Sequence, residues 1–159
     1  LFHRPPRPPA AELFARCKRL VVVEGVDNPT NVGAIVRNAA AFGWDALVLD
    51  MTSADPLARR ALRVAMGTAF SLPHARTRRL ADEIRAAGLT VYALTPRPEA
   101  ADIREVERDD RRAVLIGSER TGLSDELLAL STPVRIPMAA GVDSLNAAAA
   151  AAVACYALA

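Results

Sequence analysis

Residues 20–37 read Leu-Val-Val-Val-Glu-Gly-Val-Asp-Asn-Pro-Thr-Asn-Val-Gly-Ala-Ile-Val-Arg, and the order of chemistry in that stretch decides the fold class. Four apolar residues from Leu20 to Val23, without polar alternation, fit a strand covered on both faces. A polar turn follows, and a helix is expected over 31–42 with Thr30 or Asn31 as its cap. The same grammar recurs along the chain. Further buried strands are expected at Ala46 to Leu49, Thr90 to Leu94 and Ala113 to Ile116, with helices over 56–66 and 78–87, the second closed by Gly88. Strands alternating with helices imply an α/β fold: a mostly parallel sheet with helices on both faces.

The chain has 159 residues, enough for one core, and 52% of them are hydrophobic. No apolar run approaches the ~20 residues of a membrane span. A net charge of +2 does not by itself argue for nucleic acid. Nineteen of the 20 basic residues are Arg, whose planar fork suits phosphate, although 33 alanines favour GC-rich codon usage as the explanation. Cys17 and Cys155 are far apart and belong to no ligand-spaced cluster, so the sequence predicts a reducing, cytoplasmic setting and no metal. His3 and His74 lack a second member for a triad or metal site and are expected at the surface. Prolines 5, 6, 8 and 9 suggest an extended arm over residues 1–18, ahead of a domain at 19–159. No signal peptide is expected.

Three stretches carry chemistry. In the first, Arg37 stands among Ile35, Val36, Ala39 and Ala40, one turn after Gly33, a residue that weakens a helix unless something must come close. In the second, the strand ending at Ile116 runs into Gly117-Ser118-Glu119-Arg120-Thr121-Gly122-Leu123, with Ser124 as the next helix cap. Two glycines let a backbone wrap a small ligand, but the order matches neither the phosphate loop nor the dinucleotide fingerprint. The third is Ile136-Pro137-Met138, a glycine loop, then Ser144-Leu145-Asn146 opening an alanine-rich helix, with Ser144 its expected cap.

Taken together, these stretches resemble the SpoU (TrmH-like) family of RNA ribose 2'-O-methyltransferases in the SPOUT superfamily, from about Val21 to Tyr156. Asn31, Gly33 and Arg37 match the first family motif, Gly117, Glu119, Gly122 and Leu123 the second, and Ile136, Pro137, Met138, Ser144, Leu145 and Asn146 the third. The resemblance implies a C-terminal trefoil knot, a homodimer, and S-adenosylmethionine held in the knotted loops by Thr95, Gly117, Gly122, Ile136, Met138 and Leu145. It implies a reactive cluster of Asn31, Arg37, Glu119, Ser144 and Asn146 acting on tRNA or rRNA. It also makes the proline-rich opening a linker left from an N-terminal substrate-binding domain. The chain departs from the family at Ser118-Glu119-Arg120, where many relatives have Asn-Glu-Gly.

Transfer to a ribose hydroxyl needs the oxygen in line with the methyl donor and a route for its proton. Arg37 is a permanent donor rather than a base, so it is expected to bind phosphate and stabilise alkoxide charge, held in place by Glu119 and Asn31. Two rival readings are a catalytically inactive relative that binds RNA or cofactor, and a small-molecule-binding α/β domain.

Overall fold

The computed structural model describes residues 6–159. Along the chain run α1 (Ala10–Arg16), β1 (Arg19–Glu24), α2 (Pro29–Ala41), β2 (Ala46–Leu49), α3 (Arg59–Ala65), α4 (Thr68–Ser71), β3 (His74–Arg76), α5 (Leu80–Ala87), β4 (Thr90–Leu94), β5 (Ala101–Asp102), β6 (Arg112–Gly117), α6 (Asp125–Ala129), β7 (Thr132–Arg135) and α7 (Ala147–Ala157). The strands form one sheet in the order β3-β2-β1-β6-β4-β7-β5, and every pair in it is parallel.

Successive side chains of a strand point to opposite faces, and this separates two cores. Val21, Val23, Leu47, Leu49, Val114 and Ile116 join α2, α4 and α7 on one side. Leu20, Val22, Ala46, Val48, Ala113 and Leu115 join α1, α5 and α6 on the other. The four apolar runs are thus buried on both faces, as expected of a parallel sheet with helices on each side.

The arm expected over residues 1–18 is corrected from Ala10 onward. Pro9 precedes α1, and Leu13 and Phe14 are buried in the second core. Burying two such side chains contributes on the order of 1.5–3 kcal/mol each, which fixes α1 to the domain. His3 lies outside the described residues. His74, expected at the surface, is buried: it is in β3 and its ring bonds the Leu72 carbonyl through Nδ1 at 3.2 Å.

Two helix starts also differ from expectation. Asn28, rather than Thr30 or Asn31, caps α2, accepting from the Thr30 amide at 2.9 Å, with Pro29 in the first turn where a missing N–H costs nothing. Asn146, not Ser144, caps α7 through the Ala148 and Ala149 amides. Ser124 caps α6 as read.

Candidate functional site

Parallel strands deliver their carboxyl ends to one edge of the sheet, where ligands of open α/β folds gather. Here the loops after β4, β6 and β7 enclose a cleft of about 370 Å³ on that edge. Its lining includes Thr95, Gly117, Glu119, Gly122, Ile136, Met138, Ser144 and Leu145, so it brings together all six expected cofactor residues and two of the five expected reactive ones. Ile116, Ala147 and Ala150 add apolar wall, and Pro96, Arg97 and Thr121, which the sequence reading passed over, complete the rim.

Gly117 is required by close approach. The chain folds back so that Ser118 pairs with Gly122, whose amide donates to the Ser118 carbonyl at 2.8 Å. A Cβ at Gly117 would lie 2.5 Å from the Gly122 carbonyl carbon and 2.6 Å from the Leu123 nitrogen, both backbone atoms that cannot swing aside. Gly122 itself has φ +67, a left-handed conformation that glycine adopts without strain.

Beside the cleft, three chain segments meet on one oxygen. Glu119 Oε1 accepts from Asn31 Nδ2 at 3.0 Å, from Asn146 Nδ2 at 3.0 Å and from the Ala147 amide at 3.1 Å. Asn146 Nδ2 also donates to Asn31 Oδ1 at 3.1 Å, while Asn146 Oδ1 is occupied by the α7 amides. Hydrogen bonds to an ionised acceptor are about twice as strong as neutral ones, so this carboxylate holds the starts of α2 and α7 against the β6 loop. The Ala147 amide had no sequence signal, since any residue supplies an N–H.

Arg37 does not join this cluster, and the expectation that Glu119 and Asn31 hold it is corrected. Its side chain is exposed and has no hydrogen bond or ion pair among the described residues. Six residues separate it from Asn31, which on a helix is about 9 Å of rise and a third of a turn in direction. Ser144 lines the cleft but is exposed on the 139–145 loop and caps nothing. Gly33 does have a close neighbour: a Cβ there would meet the Ala61 carbonyl oxygen at 2.3 Å, so α2 and α3 touch backbone to backbone. Arg120 reaches across the mouth to Asp27 at 2.7 Å, joining the β6–α6 loop to the β1–α2 turn.

A second cleft of similar size, about 380 Å³, sits further along the same edge and is lined by Glu24, Asp50, Thr77, Arg78, Arg79, Asp82 and Ser124 among others. Asp50 closes β2 and accepts from the Gly25 and Ser53 amides and from the Thr52 and Ser53 hydroxyls. Burial pushes its pKa up, but those donors outweigh it and leave the carboxyl below its ordinary value. Among the described residues no group of three or more His, Cys, Asp or Glu is placed to hold a metal, and no helix is long and apolar enough to cross a membrane.

The parallel sheet, with a cleft formed by the loops after β4, β6 and β7 and a polar tie at its edge, defines a class: an α/β domain that binds its ligand at the carboxyl ends of the strands. Residues 18–156 match the model of the SpoU rRNA Methylase family, and the chain belongs to that family. It is 41% identical over 160 residues to an uncharacterized tRNA/rRNA methyltransferase of Mycobacterium tuberculosis, covering 96% of this chain and 56% of that protein. It is 32% identical over 148 residues to the 23S rRNA (guanosine(2553)-2'-O)-methyltransferase RlmP of Bacillus subtilis, covering 91% and 59%. An AdoMet-bound rRNA methyltransferase from Sinorhizobium meliloti superposes with a TM-score of 0.89 at 30% identity, covering 96% of this chain and 60% of that one. The chain therefore spans a little over half the length of each of these three relatives.

Proposed function

We propose that this chain is the catalytic domain of an S-adenosylmethionine-dependent methyltransferase that modifies the ribose 2'-hydroxyl of a nucleotide in tRNA or rRNA. The observation that carries the reading is the convergence of the three family motifs: two of them line one cleft, and Asn31 of the first is tied to Glu119 and Asn146 at its edge. The donor set fits the cofactor. Ile116, Ile136, Met138 and Leu145 offer apolar surface for an adenine, and the backbone at Gly117 leaves no room for a side chain that would fill the cradle. Thr95, Gly117, Gly122, Ile136, Met138 and Leu145 are the residues we assign to holding it. When bound, S-adenosylmethionine supplies a methyl group activated by a sulfonium.

The chain's own residues do the rest. Asn31, Glu119, Ser144 and Asn146 position the nucleotide at the cleft edge, and restricting a reactant in this way removes several kcal/mol of barrier in favourable systems. Arg37, with no partner of its own, takes the neighbouring phosphate and stabilises charge as it builds on the ribose oxygen, whose proton leaves to water. No metal is needed for these steps.

The domain works, on this reading, as a homodimer with a C-terminal trefoil knot. Met66, Phe70, Val153 and Tyr156 expose apolar surface on the face of the sheet that carries α2, α4 and α7, which supports a second copy there. The chain enters β7 between β4 and β5 and then returns through residues 136–146 to the β6 loop, a path that supports threading. Two free, buried cysteines agree with a reducing cytoplasm.

Arg37 provides the test. Arg37→Ala is expected to leave S-adenosylmethionine affinity near native while single-turnover methyl transfer to RNA falls at least about a hundredfold. Arg37→Lys keeps the charge but loses the fork, and remains strongly impaired if the phosphate contact is bidentate. Native transfer rates in both variants would remove Arg37 from the mechanism.

A further inference from the structure

The net charge of +2 conceals a strong asymmetry. Between Asp27 and Asp45 the one charged residue is Arg37, and between Asp55 and Asp82 there are six arginines and no acid. These two stretches hold seven of the 20 basic residues and none of the 18 acidic ones, leaving 13 basic against 18 acidic, a net of −5, on the remainder. Sequence separation does not keep the two stretches apart, because α2 and α3 meet where Gly33 faces the Ala61 carbonyl. Arg76 donates to the Met51 and Ser53 carbonyls, pinning the segment before α3 to β3.

Most arginines elsewhere are engaged: Arg7 with Asp55, Arg85 with Asp82 and Glu126, Arg104 with Asp102, and Arg111 and Arg112 with backbone carbonyls. The side chains of Arg37, Arg59, Arg60 and Arg63 are exposed and have no hydrogen bond or ion pair among the described residues. In α3 the spacing of Arg59, Arg60 and Arg63 puts them on one side, opposite Ala61 and Ala65, which are buried. Arg59 and Arg60 occupy the first turn, the end where the helix dipole disfavours cations. Neither the helix's own stability nor a counter-charge among the described residues accounts for this placement. A polyanion does, since each guanidinium that meets a phosphate releases condensed counterions and relieves the repulsion among its neighbours.

We propose that the surface of α2 and α3 seats the RNA sugar-phosphate backbone, with Arg59, Arg60 and Arg63 as phosphate contacts. This rests on the reading of the chain as an RNA methyltransferase domain. The contacts go to phosphate and carry no sequence information, so they fix where the RNA lies and leave the choice of nucleotide to the cleft edge.

The experiment compares the native chain with Arg59→Gln/Arg60→Gln/Arg63→Gln and with Arg16→Gln/Arg85→Gln/Arg104→Gln, which loses the same charge from engaged surface positions. Binding of bulk tRNA and of a 23S rRNA transcript is followed by fluorescence anisotropy over a salt series, and calorimetry with S-adenosylmethionine reports on the donor cleft. The α3 triple is expected to lose about tenfold or more in RNA affinity, and its plot of log affinity against log salt to flatten by about two to three. The second triple stays near native, and all three chains bind the cofactor alike. Equal losses in both triples, or none in either, overturn the assignment of this surface while leaving the RNA reading intact. A native chain that binds S-adenosylmethionine but neither RNA at low salt overturns both. Salt-sensitive self-association that the α3 triple abolishes, with RNA affinity unchanged, gives the surface to the acidic side of a second copy instead.

Discussion

Two clefts of nearly equal volume lie along the same edge of the sheet, and they are chemically opposite. The cleft between the β4, β6 and β7 loops is shaped by backbone, with apolar walls and a glycine turn into which no Cβ fits. The cleft at the ends of β1, β2 and β3 is shaped by polar side chains, and its carboxylates are already engaged: Asp50 has four donors, Glu24 accepts from the Ser124 amide at 2.7 Å, and Asp82 pairs with Arg79 and Arg85. Size does not separate the two. What separates them is the wall, backbone and apolar side chains in the first and engaged carboxylates in the second.

The sharpest way to break this contrast is at Gly117. Gly117→Ala puts a methyl group 2.5 Å from backbone, so the β6 loop must open and S-adenosylmethionine affinity should fall by about a hundredfold or more, read by calorimetry. The far-ultraviolet dichroism stays native, because the clash is confined to the loop. Affinity within threefold of native would mean that the cleft is not the cofactor site.

At Asp50 the expectation reverses. Asp50→Asn should leave cofactor affinity unchanged but lower unfolding stability by about 1–2 kcal/mol, since an amide cannot accept all four donors and the site is only partly buried. The folded-state pKa lies below the ordinary 3.8, so the native carboxylate's contribution is complete above that value and is lost as pH falls through the lower one. Urea titrations from neutral pH into the acid range should therefore show the difference between the two chains shrinking as pH falls below 3.8. A loss of cofactor binding in Asp50→Asn would join the two clefts into one functional unit.

His74 gives the smallest effect. Burial lowers its pKa from 6.5, so the unfolded chain takes up a proton more readily than the folded one. Its influence is absent above pH 6.5, where both forms are neutral, and stability declines below it until the lowered folded value is reached. The slope is at most about 1.4 kcal/mol per pH unit for one proton. His74→Gln should remove that slope in urea unfolding between about pH 5 and pH 7.5, and an unchanged slope would assign it to other groups.

The parts of the fold that the sequence disclosed are those where one physical rule acts alone. Leu20 to Val23 and Ala113 to Ile116 are apolar because both faces of the sheet are covered, and nothing else competes to explain them. β3, β5 and β7 escaped notice as strands. His74–Arg76 and Ala101–Asp102 are short edge strands, and Thr132–Arg135 carries Pro133 in register with Ala93. Helix starts were misplaced by a few residues because Asn28, Thr30 and Asn31, like Ser144 and Asn146, are all competent caps, and tertiary contacts choose among them. Leu13 and Phe14 were hidden by the prolines before them. At the site, motif order located the cleft residues, whereas the partner of Glu119 was misjudged as Arg37. Asn31 and Arg37 share a helix but not a face, and which one meets the β6 loop depends on the angle at which α2 crosses the sheet.

Glu119 Oε1 also sets an order on assembly. A ribosome that has delivered the chain as far as Asp143 has made all seven strands, Asn31 and Glu119, yet two of the oxygen's three donors, Asn146 Nδ2 and the Ala147 amide, have not been synthesised. Every strand is encoded before the segment that carries Ala147 and Ala150, which close one side of the cleft. The cleft is thus a late acquisition of the folding chain, closed only after α7 has docked.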